Sequence, residues 1–338
     1  MTRRFFYFIS FLYFSVGLTA QDSVNFPALG EIKQHHPALA KLIDHNTPIQ
    51  VITSGYVWTE GPAWNKEGQF LVFSEIPSNT VYKWVEGEGA NKWFSPSGYT
   101  GVTNYGAEPG SNGLMFDPEG RLISCEHGDR RVSMMLKNGG KKTLADNYKG
   151  KRFNSPNDVT LASNGNYYFT DPPYGLPDRF TDPRRDLDYC GVYLLRPSGE
   201  VILLTKEIER PNGIALSPDG KTLYVAQSHP DQPTITSFPI KTDGTVGKGK
   251  VLYDASELQA PGLKGNPDGL KVDSQGNLWA SGPGGIMILN ANGDLLGHIL
   301  TGEQTSNCAF GGADGSILYI TADTYVLRVQ TKVTGLGF

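Results

Sequence analysis

The stretch NGLMFDPEGRLISCEH, residues 112–127, decides the fold. The residues after Asn112 read as one strand, Asp117-Pro118-Glu119-Gly120 as a turn, and Arg121 to Glu126 as an antiparallel return. The same phrase opens on a polar residue six times: Glu60 (EGPAWNKEGQFLVFSE), Asn112, Asn157 (NDVTLASNGNYYFTDP), Asn212 (NGIALSPDGKTLYVAQ), Asp268 (DGLKVDSQGNLWASGP) and Asn307 (NCAFGGADGSILYITA). Their starts lie 52, 45, 55, 56 and 39 residues apart, the period of a four-stranded propeller blade and not of a helical solenoid. The chain is therefore expected to be all-β, a six-bladed β-propeller with a central metal site.

The metal expectation comes from the six heads, which a closed ring brings to one axis. Glu, Asn, Asn, Asn, Asp and Asn are all oxygen donors. Asn or Asp before Gly can also cap a turn through its own backbone, and that reading stays open for Asn112, Asn212 and Asp268. It fits Glu60, before Gly61-Pro62, poorly. Two carboxylates meeting amide oxygens on a wet axis repel one another unless a cation sits between them. Hard oxygen ligands favour one divalent cation, Ca²⁺ first, with Zn²⁺, Mg²⁺ and Mn²⁺ as alternatives.

An antiparallel return brings the residue about fifteen positions after each head to the same face. That offset selects Glu75, His127, Pro172 with Asp171, Gln227 with Ser228, Pro283 with Gly282, and Ala322 with Asp323 as a second circle. Two long Gly/Pro-rich connections, Tyr99 to Ser111 and Pro172 to Cys190, are expected to wall and cover a pocket there. Asn112, Glu75, Tyr174 and Asn307 are the expected substrate contacts.

The ends set the boundaries. Residues 1–20, with Arg3 and Arg4 before an apolar stretch and Thr19-Ala20 before polar Gln21, read as a signal peptide. The mature protein is expected to be exported, periplasmic or secreted, with no membrane span after cleavage. Residues 21–50 read as an extension whose Leu39, Leu42 and Ile43 suit a short helix against the outside of the propeller, and residues 51–338 as the propeller itself. His35, His36 and His45 read as solvated or capping side chains. The formal charge of −4 becomes −6 without Arg3 and Arg4, and with no basic run a nucleic-acid partner is excluded. The three cysteines, Cys125, Cys190 and Cys308, read as small buried residues rather than a disulfide framework. Oligomeric state is not legible.

TEGPAW at 59–64, RFNSPNDV at 152–159, RPNGIALSPDGKTLYVA at 210–226 and NPDGLKVDSQGNLW at 266–279 resemble the gluconolactonase/regucalcin family of six-bladed propellers. EPGSNGLMFDPEGRL, CEHGDRR, NSPND, FTDPPYG and ITADTY are similar to its bacterial gluconolactonase branch. The resemblance covers nearly the whole mature chain. It implies a divalent metal held by Glu60, Asn157, Asn212 and Asp268, four of the six heads already singled out. Animal regucalcins carry an Arg two residues before the ligand Asn, where it helps bind the lactone; here that position is Ser155. Arg152, Arg130 and Arg131 could supply the missing contact, but surface salt bridging is the favoured reading for each.

The implied chemistry is metal-assisted hydrolysis of a sugar lactone, such as gluconolactone, to the free acid. Asp268 is the expected general base and His127, with an ordinary pKa near ~6.5, the second candidate. No G-x-S-x-G elbow supports a serine nucleophile. A phosphotriesterase or paraoxonase-like hydrolase would use nearly the same metal ring, and a noncatalytic ligand-binding propeller is the third class. The Glu60 and Asp268 pair argues against the last.

Overall fold

The computed structural model describes Met1, residues 26–259 and residues 262–337. Apart from Met1, the leader expected at 1–20 lies outside them. Six antiparallel blades follow in chain order, with a two-stranded ribbon, Asn147–Tyr148 and Lys151–Arg152, between the second and third. The first blade runs from Thr59–Asn65 through Phe70–Glu75 and Thr80–Val85 to Gly89–Phe94. The second spans Ser111–Phe116 to Lys141–Ala145, the third Val159–Leu161 to Val201–Thr205, and the fourth Pro211–Leu216 to Lys250–Asp254. The fifth spans Leu270–Val272 to Leu295–Leu300. The sixth takes Thr305–Gly311, Ile317–Ala322 and Tyr325–Gln330 from the C-terminal end, and its outer strand, Gln50–Ser54, from the N-terminal end. This pairing closes the ring with main-chain hydrogen bonds and leaves no open edge between first and last blades.

The N-terminal segment is stitched into the ring further than the sequence suggested. Glu31–Gln34 adds a fifth strand to the fifth blade by pairing with Leu295–Leu300. The short helix is a 3₁₀ turn, Pro37–Lys41, capped by His36, whose Nδ1 accepts from the Ala38 amide at 3.1 Å. Leu39, Leu42 and Ile43 are buried with Trp279, Phe310 and Leu327 between the fifth and sixth blades. All three cysteines are free and buried. Among the described residues no helix is long and apolar enough to cross a membrane.

The approach of neighbouring blades explains the glycine that follows four of the six heads. A Cβ on Gly61 would lie 2.0 Å from the Asn112 carbonyl oxygen, on Gly213 2.1 Å from that of Asp268, and on Gly113 2.5 Å from that of Asn157. On Gly269 it would lie 1.9 Å from the Asn307 side chain. At Gly61, Gly113 and Gly213 glycine stands because innermost strands of adjacent blades touch backbone to backbone, and at Gly269 because the Asn307 side chain lies against it. Gly113 N donates to Asn157 O at 2.7 Å, Gly213 N to Asp268 O at 3.0 Å, and Gly269 N to Ser306 O at 2.7 Å. Hydroxyls from the second strands complete the ring: Ser74 Oγ donates to Asn112 O, Thr170 Oγ1 to Asn212 O, Ser228 Oγ to Pro267 O and Ser281 Oγ to Ser306 O. Each blade thus fixes the backbone of the next blade's head.

Candidate active site

The innermost strands carry a register shift at the head. It falls between Glu60 and Ala63, between Ser111 and Leu114, between Pro211 and Ile214, and between Thr305 and Asn307. An extra residue on one strand of a ladder bends it and re-aims the side chain, here toward the axis. Asn157 and Asp268 sit just ahead of Val159–Leu161 and Leu270–Val272, in line with the other heads.

Glu60, Asn112, Asn157, Asn212 and Asp268 line one polar cavity of about 490 Å³, with Tyr174 and Ser228 on its wall. Burial raises the Glu60 carboxyl to about 7. Burial also pushes Asp268 well above the carboxylate range, with the nearby Glu60 charge adding to the effect. Asp268 Oδ1 is buried without a hydrogen-bond partner, and so is Asn112 Oδ1. Among the described residues no three His, Cys, Asp or Glu side chains gather as a metal cluster. The donor set is instead two carboxylates and amides around one cavity, which fits a hard divalent cation that accepts mixed oxygen ligands. An orphaned buried carboxylate oxygen facing a second buried carboxylate is the observation that makes the fit.

Beneath this ring, Asn307 does not line the cavity. Its Nδ2 donates to Glu60 Oε2 at 3.1 Å and its Oδ1 accepts from the Cys308 amide at 2.9 Å, so it orients Glu60 rather than meeting a ligand. Asp158, which the head pattern missed because it occupies the place glycine holds after four other heads, is buried 3.7 Å from Lys271 Nζ. That ammonium offsets part of the negative charge at Glu60. Glu75 also stays off the cavity; it accepts from the Val57 and Ser78 amides at 3.2 and 3.1 Å and fixes a turn.

His127 is fully buried behind Asn112, its Nε2 3.3 Å from Asn112 Nδ2, with Gly175 packed over the ring. Desolvation lowers its pKa to about 3, against the ordinary value expected from sequence. The imidazole is neutral near pH 7 and does not itself line the cavity, lying behind Asn112 and Glu108. Its Nδ1 lies 3.7 Å from Glu108 Oε2, and Glu108 Oε1 accepts from Arg179 at 3.0 Å.

The two long connections do form the wall. Glu108 from the first and Arg179 from the second clasp each other over the cavity that both line, and Gly106 packs on Pro177. Ser155, in the position where animal regucalcins have Arg, is buried: its Oγ donates to Pro172 O at 2.6 Å and accepts from Gly175 N at 2.9 Å. It clamps the wall and touches no ligand space. Buried Asp171 accepts from the Asn154 and Ser155 amides, both at 2.8 Å, and holds the NSPND turn that presents Asn157.

None of the three arginines considered from sequence lines the cavity. Arg130 donates to Phe153 O and Arg184 O, Arg131 pairs with Glu126 and Asp129, and Arg152 donates to Asp129 O. Arg179 and Arg210 line it instead, with Trp58, Asn266 and Gln304. One signal in the sequence points to Arg210: it stands two residues before the head Asn212, the same offset that Ser155 has from Asn157.

The SMP-30/Gluconolactonase/LRE-like region matches residues 58–324. Gluconolactonase from Zymomonas mobilis is 40% identical over 322 residues, covering 94% of this chain and 90% of its own. The solved gluconolactonase of Xanthomonas campestris superposes with a TM-score of 0.76 at 32% identity, covering 90% of this chain and 97% of its own. A calcium-binding regucalcin from Agrobacterium tumefaciens, TM-score 0.65 at 18% identity over 92% of this chain and 96% of its own, shares the fold. From its propeller, its ring of heads and these matches, the chain belongs to the SMP-30/gluconolactonase/LRE-like family.

Proposed function

We infer that the chain is a lactonase that hydrolyses sugar lactones of the gluconolactone type to their free acids with the help of one divalent cation, Ca²⁺ first among those the donors suit. The observation that carries this is the pair of buried carboxylates, Glu60 and Asp268, opposed in one cavity, with Asp268 Oδ1 unpartnered. The kinship with a gluconolactonase across most of both chains supports it.

Glu60, Asn157, Asn212 and Asp268 would hold the cation. When bound, such an ion supplies the positive charge that polarises a lactone carbonyl and offsets the negative charge growing on its oxygen. The protein supplies orientation and the proton. Asp268 Oδ1, free of any protein donor, accepts a proton from the attacking water. The water oxygen bonds to the carbonyl carbon, the bond from that carbon to the ring oxygen breaks, and the ring oxygen leaves as a hydroxyl carrying the proton back from Asp268. Asn112 Oδ1, equally unpartnered, accepts from a sugar hydroxyl, and buried neutral His127 fixes the Asn112 amide from behind.

Initial rates on a panel of aldonolactones, a homoserine lactone and an aryl phosphotriester, each with and without chelator and above a no-enzyme control, test this. Aldonolactone turnover that stops with chelator, returns with Ca²⁺ and is absent in Asp268→Asn is expected. Phosphotriester turnover with no aldonolactone turnover would overturn it.

A further inference from the structure

We propose that the favoured substrate of this cavity is a sugar lactone bearing a second, anionic group, a carboxylate or a phosphate ester, and that Arg210 recognises that group. This rests on the lactonase reading and narrows it.

Arg210 lines the cavity with its guanidinium 4.8 Å from the Phe180 ring centre. Phe180 is itself held edge-on by Tyr174, at 5.8 Å between ring centres. That contact holds the guanidinium against the ring and leaves its N–H donors for a ligand. Among the described residues that edge has no ion pair and no acceptor. The other arginines around the site are spoken for. Arg179 pairs with Glu108, Arg184 with Asp182 at 2.6 Å, and Arg185 donates to Asn154 Oδ1 and Phe180 O.

Glu60, Asp268 and Glu108 line the same cavity, yet none of them pairs with Arg210. Those three carboxylates do not neutralise it. Glu60 and Asp268 face each other and the cation site, and Glu108 is taken by Arg179. A neutral sugar would offer Arg210 only hydroxyls. A carboxylate or phosphate offers two oxygens to the planar fork, a charge-assisted pairing worth about 10- to 100-fold in affinity over a neutral partner. Tyr174 feels both the Asp268 and the Arg210 charges, so the reacting end and the recognising end of the cavity meet at that ring.

The test compares kcat/KM of the Ca²⁺-loaded full-length protein for gluconolactone, glucarolactone and gluconolactone phosphorylated on its terminal carbon, in the wild type, Arg210→Gln and Arg210→Lys. The wild type is expected to prefer at least one anionic lactone by about 10-fold or more. Which one tells carboxylate from phosphate. Arg210→Gln should cut the anionic-to-neutral ratio by about 10- to 100-fold, through KM of the anionic lactone, and Arg210→Lys should keep part of it. A wild type without that preference overturns the proposal whatever the variants do, and so does an unchanged ratio in Arg210→Gln. No turnover of any lactone by the wild type would sink the lactonase reading instead, which separates the two failures.

Discussion

Gly213→Ala isolates the cause of the glycine that follows four of the six heads. The backbone of Gly213 suits any residue, so alanine meets no conformational penalty there, but its Cβ would sit 2.1 Å from the Asp268 carbonyl oxygen. The two strands must part by roughly 1 Å to reach the ~3.3 Å of the closest carbon-to-oxygen contacts. Parting them stretches the Gly213 N to Asp268 O bond, now 3.0 Å. Overpacking of this kind costs about 1–3 kcal/mol, and the weakened bond adds about 0.5–1.5 kcal/mol. The shift also moves the backbone that carries a proposed cation ligand, so cation affinity should fall by about 10- to 100-fold. Gly220→Ala is the contrast. Gly220 has φ +66° with open space around its missing Cβ, so alanine there costs only the left-handed backbone, about 1–2 kcal/mol, and leaves the cation alone. Urea midpoints of the metal-free proteins and calorimetric Ca²⁺ titrations read both effects. Equal destabilisation in the two variants with unchanged Ca²⁺ affinity in Gly213→Ala would refute the close-approach argument.

His127→Ala should keep the shape of the rate against pH near neutrality, because burial holds the imidazole neutral down to about 3; loss of a limb near pH 6–7, the outcome expected of an ordinary histidine base, would return it to proton transfer. For the metal-free protein, burial raises Glu60 and Asp171 each to about 7 in the folded state, so their stability contribution is present at low pH and is lost as pH rises from the ordinary carboxylate range through about 7. Bound Ca²⁺ needs the Glu60 and Asp268 carboxylates ionised, so its affinity should climb over the same window. Thermal melts and Ca²⁺ titrations at pH 5, 6, 7 and 8 check both signs, and affinity flat across that range would contradict the assignment of Glu60 and Asp268 as ligands.

The blade count was legible because one hairpin phrase repeats at blade spacing, and the cavity-facing heads were legible because equivalent positions in a ring share one direction. The same logic misjudged Asn307. It occupies a head position, yet Gly269 has no side chain to keep it from Glu60, so its amide turns down to that carboxylate instead of up to the cavity. The second circle reached the cavity only in part, at Ser228 and not at Glu75. An offset of fifteen residues gives the face but not the direction of the side chain, and Glu75 spends both oxygens on main-chain amides while Ser228 reaches the cavity. Asp158 was invisible because a buried carboxylate next to a head looks like any Asn-Asp turn until Lys271 is found 3.7 Å away on another blade.

What separates the legible from the illegible is whether a residue's role is set by the repeat or by a loop that interrupts it. Glu60, Asn157, Asn212 and Asp268 lie on or just ahead of innermost strands whose place is dictated six times over; neighbouring blades hold Asn157 and Asp268 through main-chain bonds, Asn212 through the Thr170 hydroxyl and Glu60 through the Asn307 amide. Ser155 and Arg210 share one offset from their heads, and nothing in the repeat tells them apart. The loops do. Pro172 to Cys190 folds back over the third blade, takes Ser155 into its base at Pro172 O and Gly175 N, and carries Phe180 out to meet Arg210. A buried serine at one offset and a stacked, unpaired arginine at the other are thus two results of one loop's path. The ring places the proposed cation ligands, while that loop decides which side chain, Ser155 or Arg210, is left facing the cavity.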